Sequence, residues 1–112
     1  MLTHRKAKDV LDKKRYPPLP DSLVLNIVKR CTTVGQLTWK PHFKERMEQR
    51  HISIRDVLNA IDTGRISKST EWNDEHAEYN YFITGKDIEG EELTLKIAIS
   101  NDEEMTILIT LY

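Results

Sequence analysis

At Gly64 the spacing of apolar residues changes from a helical period to alternation, and this switch constrains the fold more than any other feature of the 112-residue chain. Before it, Ile54, Val57, Leu58 and Ile61 recur at i, i+3, i+4 and i+7, the signature of one buried helix face. After it, Leu93, Leu95, Ile97 and Ile99 alternate with Thr94, Lys96 and Ala98, and Met105, Ile107, Ile109 and Leu111 repeat the pattern. Helices followed by strands with short turns predict an α+β fold: two to three N-terminal helices packed on the apolar face of a four-stranded antiparallel sheet.

The local signals are specific. Asp21 or Ser22 is placed to cap a helix over 22–31, with Leu23, Ile27, Val28 and Cys31 on its apolar face. Gly35 breaks the chain, and Pro41 suits the first position of a second helix reaching Arg50. Ser53 and Asp56 have the spacing of a capping box for the third helix, which Gly64 closes in the position of a left-handed cap. Strands are predicted over 65–72, 78–84, 93–99 and 105–112, with a glycine-bounded loop over 85–90. Residues 1–20 read as a basic arm and a proline-rich linker, since Pro17, Pro18 and Pro20 hold the backbone extended; residues 21–112 read as one α+β domain.

Apolar residues make up 38% and charged residues 31% of the chain, and no apolar run approaches the roughly 20 residues of a membrane span, so no membrane partner is expected. The single Cys31 has no internal disulfide partner, which fits a reducing, cytoplasmic compartment and a small buried hydrophobe. The net charge of −1 hides an asymmetry: residues 1–56 hold 13 Lys/Arg against 6 Asp/Glu, whereas residues 57–112 hold 4 against 12. A basic half of this kind can meet phosphates while the acidic half limits nonspecific binding; equally, the halves can neutralise each other across the fold. No metal-ligand spacing, phosphate loop, nucleophile elbow or dinucleotide fingerprint occurs, so no cofactor or metal is expected.

The segment from Thr38 to Gly64 carries the strongest lead. On an ideal helix with His42 at zero, Gln49 lies near −20°, Arg46 near 40° and Arg50 near 80°, each to roughly 20°, so the four share a face. Phe43 and Met47 form an apolar seam beside that stripe, and Glu45 and Glu48 point away. Metal-independent RNA cleavage needs an acid, a base and cations opposite the charged phosphorane; His42, Arg46 and Arg50 supply that minimum. Residues paired with Glu45, Asp56 or sheet carboxylates would present the same spacing. A second surface is the sheet face opposite the aliphatic row, where Lys96, Thr110 and Tyr112 share parity, joined by Tyr79 or Tyr81, to bind a single-stranded base.

The string PHFKERMEQRHISIRDVLNAIDTGRI, with Gly85, Asp87, Gly90, Leu93 and the closing Ile109-Thr110-Leu111-Tyr112, resembles the small bacterial family catalogued as domain of unknown function 4258. The resemblance covers about residues 37–112. That family looks like a relative of RelE- and BrnT-type toxins, so the resemblance implies a RelE-like fold with helices before an antiparallel sheet, and an RNase neutralised by a cognate antitoxin. It implies His42, Arg46 and Arg50 as the catalytic site, with Thr110 and Tyr112 as supports. His51 stands where the family usually has Gly, at a helix-ending turn that a non-glycine residue can occupy at modest cost.

Two functions follow as expectations. The first is a metal-independent ribonuclease toxin of a toxin and antitoxin pair, with RNA and the antitoxin as partners. The second is a noncatalytic nucleic-acid- or protein-binding module, including a subunit of a phage or mobile element.

Overall fold

A computed structural model describes residues 17–112, so the basic arm over 1–16 lies outside the described residues. Three helices, α1 (Asp21–Val34), α2 (Pro41–Gln49) and α3 (Ile54–Thr63), pack on one mixed six-stranded sheet. The strands are β1 (Leu37–Trp39), β2 (Arg65–Ile66), β3 (Glu71–Asn73), β4 (Glu78–Lys86), β5 (Glu92–Ile99) and β6 (Thr106–Leu111). Their order is β1-β6-β5-β4-β2, with β3 also on β4; β1 runs parallel to β6 and every other pairing is antiparallel.

The α+β class stands, and the expected four-stranded, purely antiparallel sheet is corrected to six strands of mixed direction. Two short segments account for the difference. Leu37–Trp39 is too brief to show alternation, yet it pairs with Thr106–Leu108, and its chain then turns through Pro41 into α2. The single strand expected over 65–72 is interrupted at Ser67–Thr70, so its two ends pair separately with different parts of β4.

Helix termini follow the local signals with three exceptions, the first being that α1 runs three residues past the expected end at Cys31, to Val34, before Gly35 caps it at φ 76°. The Ser53/Asp56 capping box forms, and Pro41 opens α2. The N-cap of α1, however, is Pro20 with no side-chain cap; Asp21 instead lies within the first turn, where its charge favours the helix dipole. Gly64 is not left-handed but has φ −83°. A Cβ there would fall 2.5 Å from the Ala60 carbonyl oxygen and 2.5 Å from Ile83, so the glycine is required by close packing of α3 on β4. Gly85 is tighter still, with the same Ala60 oxygen 1.9 Å from its virtual Cβ.

Val24, Val28, Phe43, Val57, Ala60, Ile61, Tyr81, Ile83, Leu93, Leu95, Ile97, Leu108 and Leu111 form the core. Cys31 is buried, as its context implied, and its thiol donates to the Glu104 carbonyl at 3.4 Å. The expected faces of α1 and α3 shift at one edge: Val24 replaces Leu23, and Ala60 replaces the half-exposed Leu58 and Ile54, while Ile27, Val28, Cys31, Val57 and Ile61 are buried as expected.

The alternation over 105–111 is also broken. A bulge between Lys96 and Ile97 sets Thr110 opposite Lys96 but Leu108 opposite Ile97, leaving Ile109 as the extra residue. Leu111 and Leu108 therefore both face the helices, while Ile107 falls on the other side beside Ala98.

Candidate functional site

Phe43, fully buried, anchors α2 against the end of β6, and Met47 packs partly beside it. This fixes the adjoining flank of the helix, where His42 and Arg50 are exposed and Arg46 is half-buried. The helix ends in a Schellman turn: the Ile52 amide donates to the Met47 carbonyl at 2.8 Å and the His51 amide to Glu48 at 3.3 Å. His51 adopts φ +56°, so a non-glycine residue does hold the left-handed position.

Arg46 is positioned by the sheet. Strand β1 ends at Trp39, with one further bond from the Lys40 amide to Leu108 at 2.9 Å, so the last residues of β6 have no strand on that flank. On the other flank Tyr112 exchanges both backbone bonds with Thr94, at 2.9 and 3.4 Å, which turns the Leu111 carbonyl outward. The Arg46 guanidinium fills the gap, donating from Nε at 3.2 Å and Nη2 at 3.1 Å to that single oxygen. Two of its five N–H groups are used, leaving three donors in a fixed orientation. Asp56, a candidate partner for these arginines, is engaged elsewhere: its carboxylate accepts from the Ser53 amide and hydroxyl and from the Ile88 amide. Those bonds, the Ser53 amide first, hold its pKa below the ordinary value.

The sheet face away from the helices brings Lys96 and Thr110 together as direct cross-strand neighbours, with Phe82 on the other side of Lys96. Phe82 is buried beneath two ammonium groups: Lys68 Nζ is 5.3 Å and Lys96 Nζ 5.9 Å from its ring centroid. Lys68 also lies 5.2 Å from the ring of the half-exposed Tyr112. Beside them the hydroxyls of Ser67, Thr84 and Thr94 form a chain with 2.7 Å steps. Two cations over one aromatic floor, with hydroxyls alongside, can receive a phosphate and a stacked base.

Arg46, bonded to the Leu111 carbonyl, and the Tyr112 ring beside Lys68 thus flank the C-terminal end of β6, the helical stripe on one side of the sheet and the lysine face on the other. Tyr79 and Tyr81 do not join that face. They have the opposite parity: Tyr81 belongs to the helix-side core, and Tyr79 stacks edge-on with Trp72 at 5.0 Å. Lys68 and Phe82 were absent from the sequence reading. Phe82 shares the parity of Lys96 once β4 and β5 are in register, whereas Lys68 lies between two short strands and is aligned by tertiary bonds of its neighbour, the Ser67 amide to the Phe82 carbonyl at 3.0 Å and the bond between the Ser67 and Thr84 hydroxyls at 2.7 Å.

Among the described residues, no group of three or more His, Cys, Asp or Glu is arranged to hold a metal, and no helix is long and apolar enough to cross a membrane. The model of the family described as Domain of unknown function (DUF4258) matches residues 39–112, and the chain belongs to this family. No curated protein and no solved structure matches the chain.

Proposed function

We propose that this protein is a metal-independent, RelE- or BrnT-like endoribonuclease toxin of the cytoplasm, opposed by a cognate antitoxin. The observation that carries the reading is the Arg46 fork on the Leu111 carbonyl, which ties the His42/Arg46/Arg50 stripe to the strand bearing Thr110 and Tyr112. Short single-stranded RNA would lie across the open end of β6, its phosphates toward Lys68 and Lys96 and a base against Tyr112.

In the reaction the ribose 2′-hydroxyl attacks the adjacent phosphorus as the bond to the 5′-oxygen breaks, giving a 2′,3′-cyclic phosphate and a 5′-hydroxyl. One proton leaves the attacking oxygen and one reaches the departing oxygen. His42 performs one of these transfers, since an imidazole can either take or give a proton. The three unspent Arg46 donors and Arg50 offset the charge that grows on the nonbridging oxygens. Induced expression should arrest growth and fragment RNA, and a folded His42→Ala/Arg46→Ala variant should do neither. Arrest and fragmentation undiminished in that variant would remove these residues from the mechanism.

A noncatalytic RNA-binding role has one specific support, the Lys68/Lys96/Phe82 platform, which lies on the sheet face away from the helices and uses no residue of the stripe. It predicts binding that weakens steeply with salt while the RNA stays intact.

A further inference from the structure

Two ammonium groups lean on one aromatic ring on the sheet face away from the helices, Lys68 Nζ at 5.3 Å and Lys96 Nζ at 5.9 Å from the Phe82 centroid. Lys96 is the cross-strand neighbour of Phe82, and Lys68 reaches the ring from the segment between β2 and β3. Neither ammonium forms an ion pair with a carboxylate among the described residues. Like charges brought to one place repel, so the pair favours an anion that both can share.

The adjoining hydroxyls add a neutral donor. Thr84 gives its one proton to Ser67 at 2.7 Å, so Thr94 must give its own to Thr84, also at 2.7 Å, and the Ser67 proton is left over. Thr84 is buried, which anchors this chain in the sheet, whereas Ser67 is exposed next to Lys68.

The surrounding charges set what kind of anion fits. The same face continues as Glu78 and Asn80 before Phe82 on β4, and as Thr84 and Lys86 after it. Towards one end lie the Glu78 carboxylate, which accepts from the Asn80 amide at 3.5 Å, and Glu71 opposite Asn80. Towards the other, Lys86 faces Glu92 across the strand pair. Arg65, opposite Thr84 at the β2 edge, adds a third cation to the group. The positive charge is therefore compact and bounded by carboxylates along the strands. A phosphodiester backbone carries one charge per nucleotide in a line, whereas a terminal phosphomonoester holds close to two charges and three acceptor oxygens in one group at pH 7. The second matches a compact cluster better than the first.

We propose that Lys68, Lys96 and the Ser67 hydroxyl bind the terminal phosphomonoester of a single-stranded RNA, with the end base on the Tyr112 ring, whose centroid is 5.2 Å from Lys68 Nζ. This assignment rests on the reading of that face as the one that holds RNA. It adds that the strand is gripped by its end, so that cleavage at the stripe falls at a fixed distance from that end.

The test uses the full chain and a short 2′-O-methyl RNA, which lacks the attacking hydroxyl and stays intact, labelled at an internal base and followed by fluorescence anisotropy. The strand is made with a 5′-phosphate, with a 3′-phosphate, or with hydroxyls at both ends. One phosphorylated strand should bind at least tenfold more tightly than the hydroxyl-ended one, and which of the two does so identifies the end that is held. Converting the favoured phosphate to its methyl ester, which leaves a single charge, should remove most of that preference. The preference should also vanish in a Lys68→Gln/Lys96→Gln variant with an unchanged melting temperature. Equal binding of the three strands, a methyl ester bound as tightly as the free phosphate, or no binding of any strand overturns the proposal, and these comparisons use the unaltered protein. Because the strand cannot be cleaved, an end preference without ribonuclease activity leaves this site standing, and cleavage without an end preference leaves only the ribonuclease reading.

Discussion

Asp56→Asn is the substitution whose effect the structure fixes most fully, because both carboxylate oxygens are committed. Oδ2 accepts from the Ser53 amide and hydroxyl, each at 2.9 Å, and Oδ1 accepts from the Ile88 amide at 3.1 Å. The residue therefore caps α3 and also ties it to the loop between β4 and β5. An asparagine has one acceptor oxygen, so one of the two backbone amides must face an NH2 group. The change removes one charge-assisted bond, weakens the others to neutral ones and leaves a buried donor unpaired, for a cost of about 3 kcal/mol. For a chain of this size that lowers the melting temperature by roughly 10 °C. Ser53→Ala, which loses the hydroxyl cap but keeps the tether to Ile88, should cost only about 1 kcal/mol.

The same carboxylate gives a pH signature. Its folded pKa lies below the ordinary 3.8, so its contribution is complete above that value and is lost as pH falls through the folded pKa. The stability gap between the unaltered protein and Asp56→Asn should accordingly be constant from pH 7 to pH 5 and narrow below pH 4. Denaturant melts across this range, with hydrogen exchange at the Ile88 amide, provide the assay. A cost below about 1 kcal/mol, or an Ile88 amide equally protected in the variant, would refute the tether.

Three further substitutions probe separate parts of the structure. Gly85→Ala drives a Cβ to 1.9 Å from the Ala60 oxygen, a backbone atom that cannot rotate away, and should cost about 3 kcal/mol or more by thermal melt. His51→Gly relieves the +56° φ at the Schellman turn and should stabilise by about 0.5–1 kcal/mol without changing RNA binding. Arg46→Lys keeps the charge but loses the fork on Leu111, so RNA affinity should change less than about threefold while cleavage falls at least tenfold, as read from binding isotherms and single-turnover rates.

The parts of the fold legible in sequence are those governed by local chemistry. The Ser53/Asp56 box, Pro41, the alternation of Leu93 to Ile99 and the Phe43/Met47 seam each depend on neighbours within a turn or a strand. What escaped depends on pairing. Leu37–Trp39 becomes a strand only because β6 lies beside it, and the bulge at Ile109 reverses the parity of β6 to bury Leu108. Gly64 resembled a cap because glycine serves both left-handed turns and close approaches, and only the position of β4 distinguishes them. The site divides in the same way. His42, Arg46 and Arg50 were visible as a helical stripe, but the role of Leu111 in orienting Arg46 and the alignment of Lys68 over Phe82 require the sheet.

The central claim is that the stripe beside the open end of β6 cleaves RNA without metal. Its most direct test is single-turnover incubation of purified protein with single-stranded RNA in EDTA, with the new termini identified. The account predicts fragments ending in 2′,3′-cyclic phosphate and 5′-hydroxyl, formed at least 100-fold more slowly by a folded His42→Ala variant. RNA bound but left intact, or cleaved equally well by His42→Ala, would contradict it.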